Sequence, residues 1–290
     1  MATLLLLVAV LLTPHTLCAQ SHEVGWVEQF EGPSHQYRLV RAGRQVPVRL
    51  FTPVLEGDEV FVLSHSGKLA ILLNDGRHIQ KVFGESPRVV TGGTRHSSVP
   101  RNIVRWAQDL FTPWHDQSLE PAQIAVRGFP DPISMPLLSH PDALLASGDR
   151  ALTIAWLGGR PPFSLRVTRV PEGLVLTTLE NLVDRQARTP RVSLREGRFQ
   201  LLISDAEGST LIGQFSVVPG LPALPLPLSS AETPAVIVDT LKAARLAQLE
   251  EGRWAFEAYQ LATVASSESY PAALLRDRLA VGERPHIPPP

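Results

Sequence analysis

Trp114, His115 and Asp116 stand together in a stretch flanked by prolines, and of all the side chains in this sequence they have the most chemistry to offer. An indole beside polar groups can stack on a sugar ring or anchor a protein partner. Trp114 and His115 are therefore the candidate binding residues. The plainer role for such a tryptophan is to plug a gap between two domains, and that reading is favoured. His22-Glu23 begins like a zinc-protease helix, but Trp26 stands where the second histidine belongs. Ser64-His65-Ser66 puts hydroxyl and imidazole close in sequence. Neighbours on a strand or turn point apart, and turn chemistry accounts for them. Asp205-Ala206-Glu207-Gly208 has the flavour of a calcium loop without its alternating Asp or its final Glu, so a plain β-turn is favoured. The 9 histidines sit singly, with no pair at ligand spacing. There is no nucleophile elbow, no phosphate loop and no dinucleotide fingerprint. The expectation is a chain that is not an enzyme, with no catalytic residue, no metal site and no cofactor.

The elements that must carry these residues read as mostly β. Strands are predicted over 24–30, 37–40, 46–50, 59–63, 68–73 and 77–83. Glu56-Gly57-Asp58 and Asn74-Asp75-Gly76 supply turns between them. Leu69, Ile71 and Leu73 share one face of their strand, as period two requires. Ser98 and Pro100 open a helix in which Ile103, Trp106, Ala107 and Leu110 form one stripe. After Phe111 the chain reads as a Pro-rich connector.

A second β region follows over 141–220, with strands predicted at 152–156, 163–170, 174–178, 191–194, 198–204 and 211–218. Its size suits an immunoglobulin-like sandwich, with Trp156 in its core. Trp26 is expected to pack in the first β region in the same way. Leu221 to Leu228 alternates proline with Leu or Ala and reads as a linker. From 235 the pattern turns helical. Trp254, Ala258, Leu261, Ala262 and Ala265 line one face. Ala272, Leu275 and Leu279 line another, after Ser269 and Pro271 as start signals.

The chain is 290 residues with 44% hydrophobic and 19% charged side chains, enough apolar material for real cores. Its 27 basic and 28 acidic residues leave a net charge of −1, which argues against a nucleic-acid binder. Leu4 to Leu12 is an apolar run too short to span a bilayer but suited to a secretory signal. Cleavage is expected between Ala19 and Gln20. It would also remove Cys18, which is the only cysteine, and leave a mature chain with no transmembrane helix. A secreted chain without disulfides suits the bacterial periplasm better than an animal secretion. The abundance of arginine over lysine is read as a GC-rich bacterial genome.

Two stretches resemble known families. The Val54-Leu55-Glu56-Gly57-Asp58-Glu59-Val60 step and the Leu69-Ala70-Ile71-Leu72-Leu73-Asn74-Asp75-Gly76 step make 43–90 similar to the periplasmic FecR-type domain. That resemblance implies an extracytoplasmic β domain. The family's regulators carry a cytoplasmic helical segment and a membrane helix ahead of it. Here only the short signal segment precedes the domain, so sigma-factor control does not carry over. Trp156-Leu157-Gly158-Gly159-Arg160-Pro161-Pro162-Phe163 resembles bacterial immunoglobulin-like modules, and 246–265 resembles one helical hairpin of a tetratricopeptide-type array.

The expected organisation is a signal peptide (1–19), a FecR-like β domain (20–95), a connector with one helix (96–140), an Ig-like β-sandwich (141–220), a Pro-rich linker (221–234), a C-terminal helical hairpin (235–282) and a disordered tail (283–290). The fold class is mainly β with a small α-helical C-terminal part. The expected function is a non-enzymatic periplasmic or secreted binding or scaffolding module of the bacterial envelope, with an envelope protein or a glycan as partner. The alternatives are a sensor component that signals to a membrane partner through its helices, and a carbohydrate-binding or processing accessory.

Overall fold

β1 (Glu23–Phe30) is buried almost end to end, not on alternate residues, because something covers both of its faces. The computed structural model describes residues 22–85, 88–91, 101–117, 131–224 and 235–285. Within them the molecule is mainly β, with most of its helix near the C-terminus. The proposed cleavage point at Ala19 and Gln20 lies outside the described residues, as do Ser98 and Pro100.

The first β region forms two antiparallel sheets. One has the order β4 (Pro53–Leu55), β1, β6 (Lys68–Leu73), β7 (His78–Val82). The other has the order β3 (Arg44–Val46), β2 (Tyr37–Arg41), β5 (Glu59–Val62), β8 (Arg88–Val89). Tyr37 pins them together. Its hydroxyl accepts from the amides of Glu31 (3.1 Å) and Lys68 (3.0 Å). Five of the six predicted strands are present close to their predicted bounds. The third ends at Val46, because Pro47 has no N–H for a ladder.

The cover of β1 comes in part from Tyr37 of the other sheet, whose ring lies 5.4 Å from that of Phe30, and in part from helices. α1 (Arg101–Gln117) is longer than its stripe predicts and passes through Pro113. A proline inside a helix costs about 3 kcal/mol. Trp114 and His115 are held in place just beyond it. Arg278 Nη2 donates to the Trp114 carbonyl at 2.8 Å. His115 Nδ1 lies 3.1 Å from the Tyr270 hydroxyl, and its ring is 4.1 Å from that of Phe30. Tertiary packing here overrides the local penalty. Both Arg278 and Tyr270 belong to α4 (Tyr270–Ala280), so α4 closes the outside of the first β region.

The second β region centres on a five-stranded sheet: β13 (Leu174–Leu182), β12 (Phe163–Val170), β16 (Gly197–Ser204), β17 (Thr210–Val218) and β9 (Leu144–Ala146). β9 runs parallel to β17, and the other pairings are antiparallel. Two short pairs face it: β10 (Gly148–Arg150) with β15 (Val192–Leu194), and β11 (Thr153–Ala155) with β14 (Gln186–Arg188). Trp156 packs edge-on to Phe163 at 5.2 Å, in the core position expected of it.

Where the sequence pattern predicts a hairpin, the chain forms three helices: α2 (Ala235–Gln248), α3 (Ala255–Ala265) and α4. The first two meet at a kink in which Glu250 and Glu251 have φ of 51° and 58°. The Ser269 hydroxyl accepts from the Ala272 amide and starts α4, as its sequence signal predicts. Buried apolar residues form one continuous cluster through both β regions, α1 and the three C-terminal helices. No described helix is long and apolar enough to cross a membrane.

Candidate binding cleft between the sandwich and the helices

α3 is fixed to the sandwich by polar side chains that behave like a missing strand. Gln260 accepts from the Thr153 amide and donates to the Thr153 carbonyl, both at 2.8 Å. A primary amide has the same donor–acceptor pair as a peptide group, so it closes a strand's open edge. One turn earlier, Glu257 is almost fully buried and accepts from the Ala146 amide at 3.0 Å. Arg150 grips the same carboxylate with both terminal nitrogens, one of them at 2.7 Å. Phe256, beside it, packs edge-on to Phe215 of β17 at 5.6 Å. Burial of Glu257 is tolerable because the charge is paired and its second lone pairs are used.

This joint leaves a cleft of about 340 Å³ between the β11–β14 pair and helices α3 and α4. Trp156, Arg185, Gln186, Tyr259, Arg276 and Asp277 line it. Gln186 Nε2 donates to the Tyr259 hydroxyl at 2.9 Å. Burial pushes the Tyr259 phenol up from its ordinary value, and that hydrogen bond pulls against the shift. Arg276 pairs with its neighbour Asp277 at 2.7 Å and reaches the Ser266 hydroxyl at 3.1 Å. Arg185 donates only to the carbonyls of Gly158 (2.8 Å) and Gly159 (2.9 Å), and forms no ion pair among the described residues. The lining therefore holds two guanidiniums against one carboxylate. Trp156 is 1% exposed, and its indole N–H has no acceptor among the described residues.

Local sequence explains how Arg185 is held. Gly158 and Gly159 have φ of 71° and 68°, which favours glycine. A Cβ on Gly158 would collide with the Pro132 carbonyl oxygen. The tight approach turns both glycine carbonyls toward one side, where the Arg185 fork takes them together.

The structure corrects the expected binding pair. Trp114 and His115 are buried, at 8% and 2% exposure, between α1, α4 and the end of β1. Neither is available to stack on a sugar, and Trp114 fills the gap between parts of the molecule. The side chain of Asp116 lies outside the described set. Ser64 and Ser66 share a hydrogen bond at 3.2 Å, while the His65 ring turns away onto Phe83 at 3.8 Å. Asp205 forms the expected turn. Its oxygens accept from the amides of Arg160, Glu207 and Ser209. Desolvation raises its carboxyl, but these amides outweigh it together and hold the group below its usual range. Among the described residues no three His, Cys, Asp or Glu side chains gather where a metal ion would sit.

A second ionisable pair sits at the first joint. Glu28 lies at a bulge of β1, buried, with Oε2 2.8 Å from His78 Nδ1 on β7. Burial raises the Glu28 carboxyl above its ordinary value, and the facing His78 opposes the shift.

Sequence reasoning missed the cleft. Trp156 was legible as a core residue and Gly158-Gly159 as a turn. Nothing local ties either to Tyr259 or Arg276, which arrive a hundred residues later.

No family model matches the chain. No curated protein matches it. Among solved structures the chain is similar to CopC from Methylosinus trichosporium OB3b at 15% identity, covering 33% of this chain and 98% of that one, with a TM-score of 0.22.

Proposed function

We propose that this chain is a non-enzymatic, extracytoplasmic binding or scaffolding module of the bacterial envelope, with a FecR-type first β region and an immunoglobulin-like second one. The observation that supports this most is the use made of its buried and half-buried polar side chains. Glu257, Gln260, Arg278 and the His115–Tyr270 pair each tie one element to another across long sequence separations. Groups held so firmly suit a frame that presents a surface. Asp58, in the Gly57-Asp58 step on which the FecR resemblance rests, has a structural role here. Asp58 is buried, accepts from the Leu55 amide at 2.8 Å, and pairs with Arg41 at 2.8 Å. The stacking tryptophan that motivated a carbohydrate accessory is Trp114, which is buried.

The test is fractionation of a bacterium that expresses the chain with a C-terminal tag. Release by osmotic shock, with an N-terminus at Gln20, is the expected result. An intact N-terminus in the cytosolic fraction overturns the reading.

A further inference from the structure

We propose that the cleft between β11–β14 and α3–α4 binds a small ligand through its carboxylate, with Arg185 as the principal donor. Two observations converge on it. The cavity, about 340 Å³, falls within the range of small-ligand pockets and lies where two packed units meet. Its lining carries an excess of positive charge, and the Arg185 guanidinium meets two neutral carbonyls and the Phe163 ring but no carboxylate among the described residues. Its wall also carries the amide of Gln186, held by the Tyr259 hydroxyl.

The chemistry follows from those groups. The glycine carbonyls take Nε and one N–H of Nη2 of Arg185, and the Nη1–Nη2 edge that remains matches the two oxygens of a carboxylate. Leu157 and Ala280 offer apolar wall beside the almost fully buried Trp156 and Tyr259, so the ligand's body is apolar. Asp277 sits on the α4 side, where an amide N–H of the ligand would suit it better than a second negative charge. The occupant is thus an apolar carboxylate, either free or as the last residue of a peptide chain.

The inference deepens the binding-module reading and rests on it, but its test is made on the purified mature chain and does not depend on compartment. The probes are phenylacetate, N-acetylphenylalanine and N-acetylphenylalanine amide, titrated calorimetrically. We expect an acid to bind with Kd of about 1 mM or tighter. The amide should bind at least about tenfold more weakly, since it cannot accept a charged fork. Binding by N-acetylphenylalanine alone identifies a peptide terminus; binding by phenylacetate as well identifies a free carboxylate. Arg185→Ala should weaken binding by about tenfold or more, and Arg276→Gln by less, with Arg185→Lys recovering part of the loss. The wild-type comparison of acid with amide needs no variant to fold. Equal binding of acid and amide, or binding of neither, overturns the proposal and leaves the fractionation result untouched.

Discussion

Glu28 illustrates how a single side chain sets a pH dependence. Its carboxyl is raised mainly by burial, so the folded chain holds that proton more tightly than the unfolded chain does. The stability it contributes is complete below its ordinary value of 4.5 and is lost as pH rises through the raised value. At neutral pH the ionised group is therefore a net penalty. Glu28→Gln should raise Tm at pH 7, and the gain should shrink to nothing as the pH falls below that ordinary value. His78 opposes the shift, so the gain should be larger in a His78→Ala background. Thermal melts of the four chains across pH decide this. Gly158 sets a different constraint, on space. Its φ is positive, and the carbonyl oxygens of Asp131 and Pro132 occupy the place where a Cβ would stand. Gly158→Ala should therefore destabilise by about 2 kcal/mol or more in urea titration.

Elements were legible where one strand or helix decides its own pattern. β6 and β12 fall where alternation and turn glycines put them, and the start of α4 follows from Ser269 and Pro271. The misses have a common cause. β4, β9, β10 and β14 are three-residue strands, too short to show a period, and each exists because a distant partner supplies its ladder. Helix α1 outruns its proline because Arg278 and Tyr270 hold its end from α4. The exposure of Trp114 and His115 was not readable, since Arg278, which holds the Trp114 carbonyl, lies 164 residues away in the chain. The Arg150–Glu257 pair makes the same point energetically. Arg150→Ala leaves a buried carboxylate unpaired and should cost about 3–5 kcal/mol. Replacing both by Leu should cost less, while still orphaning the Ala146 amide. Chemical denaturation of the Arg150→Ala variant and the double variant checks both expectations.

At the scale of the molecule, the helices are neither a tail nor a separate hairpin. α4 reaches the first β region and α3 reaches the second, and the apolar interior passes through them without a break. A frame of this kind fixes the walls of the cleft relative to each other, because its two sides come from the sandwich and from the helices. Loss of the α3 anchor should therefore be felt by any ligand there before the fold is lost.

The amide of Gln260, standing in for a peptide group against Thr153, carries one more consequence. The last helices should therefore stay in place without covalent continuity between 224 and 235. Two polypeptides, one ending at 224 and the other beginning at 235, should find each other when produced in the same cell and elute as one species. Gln260→Ala in the shorter partner should let them drift apart on dilution.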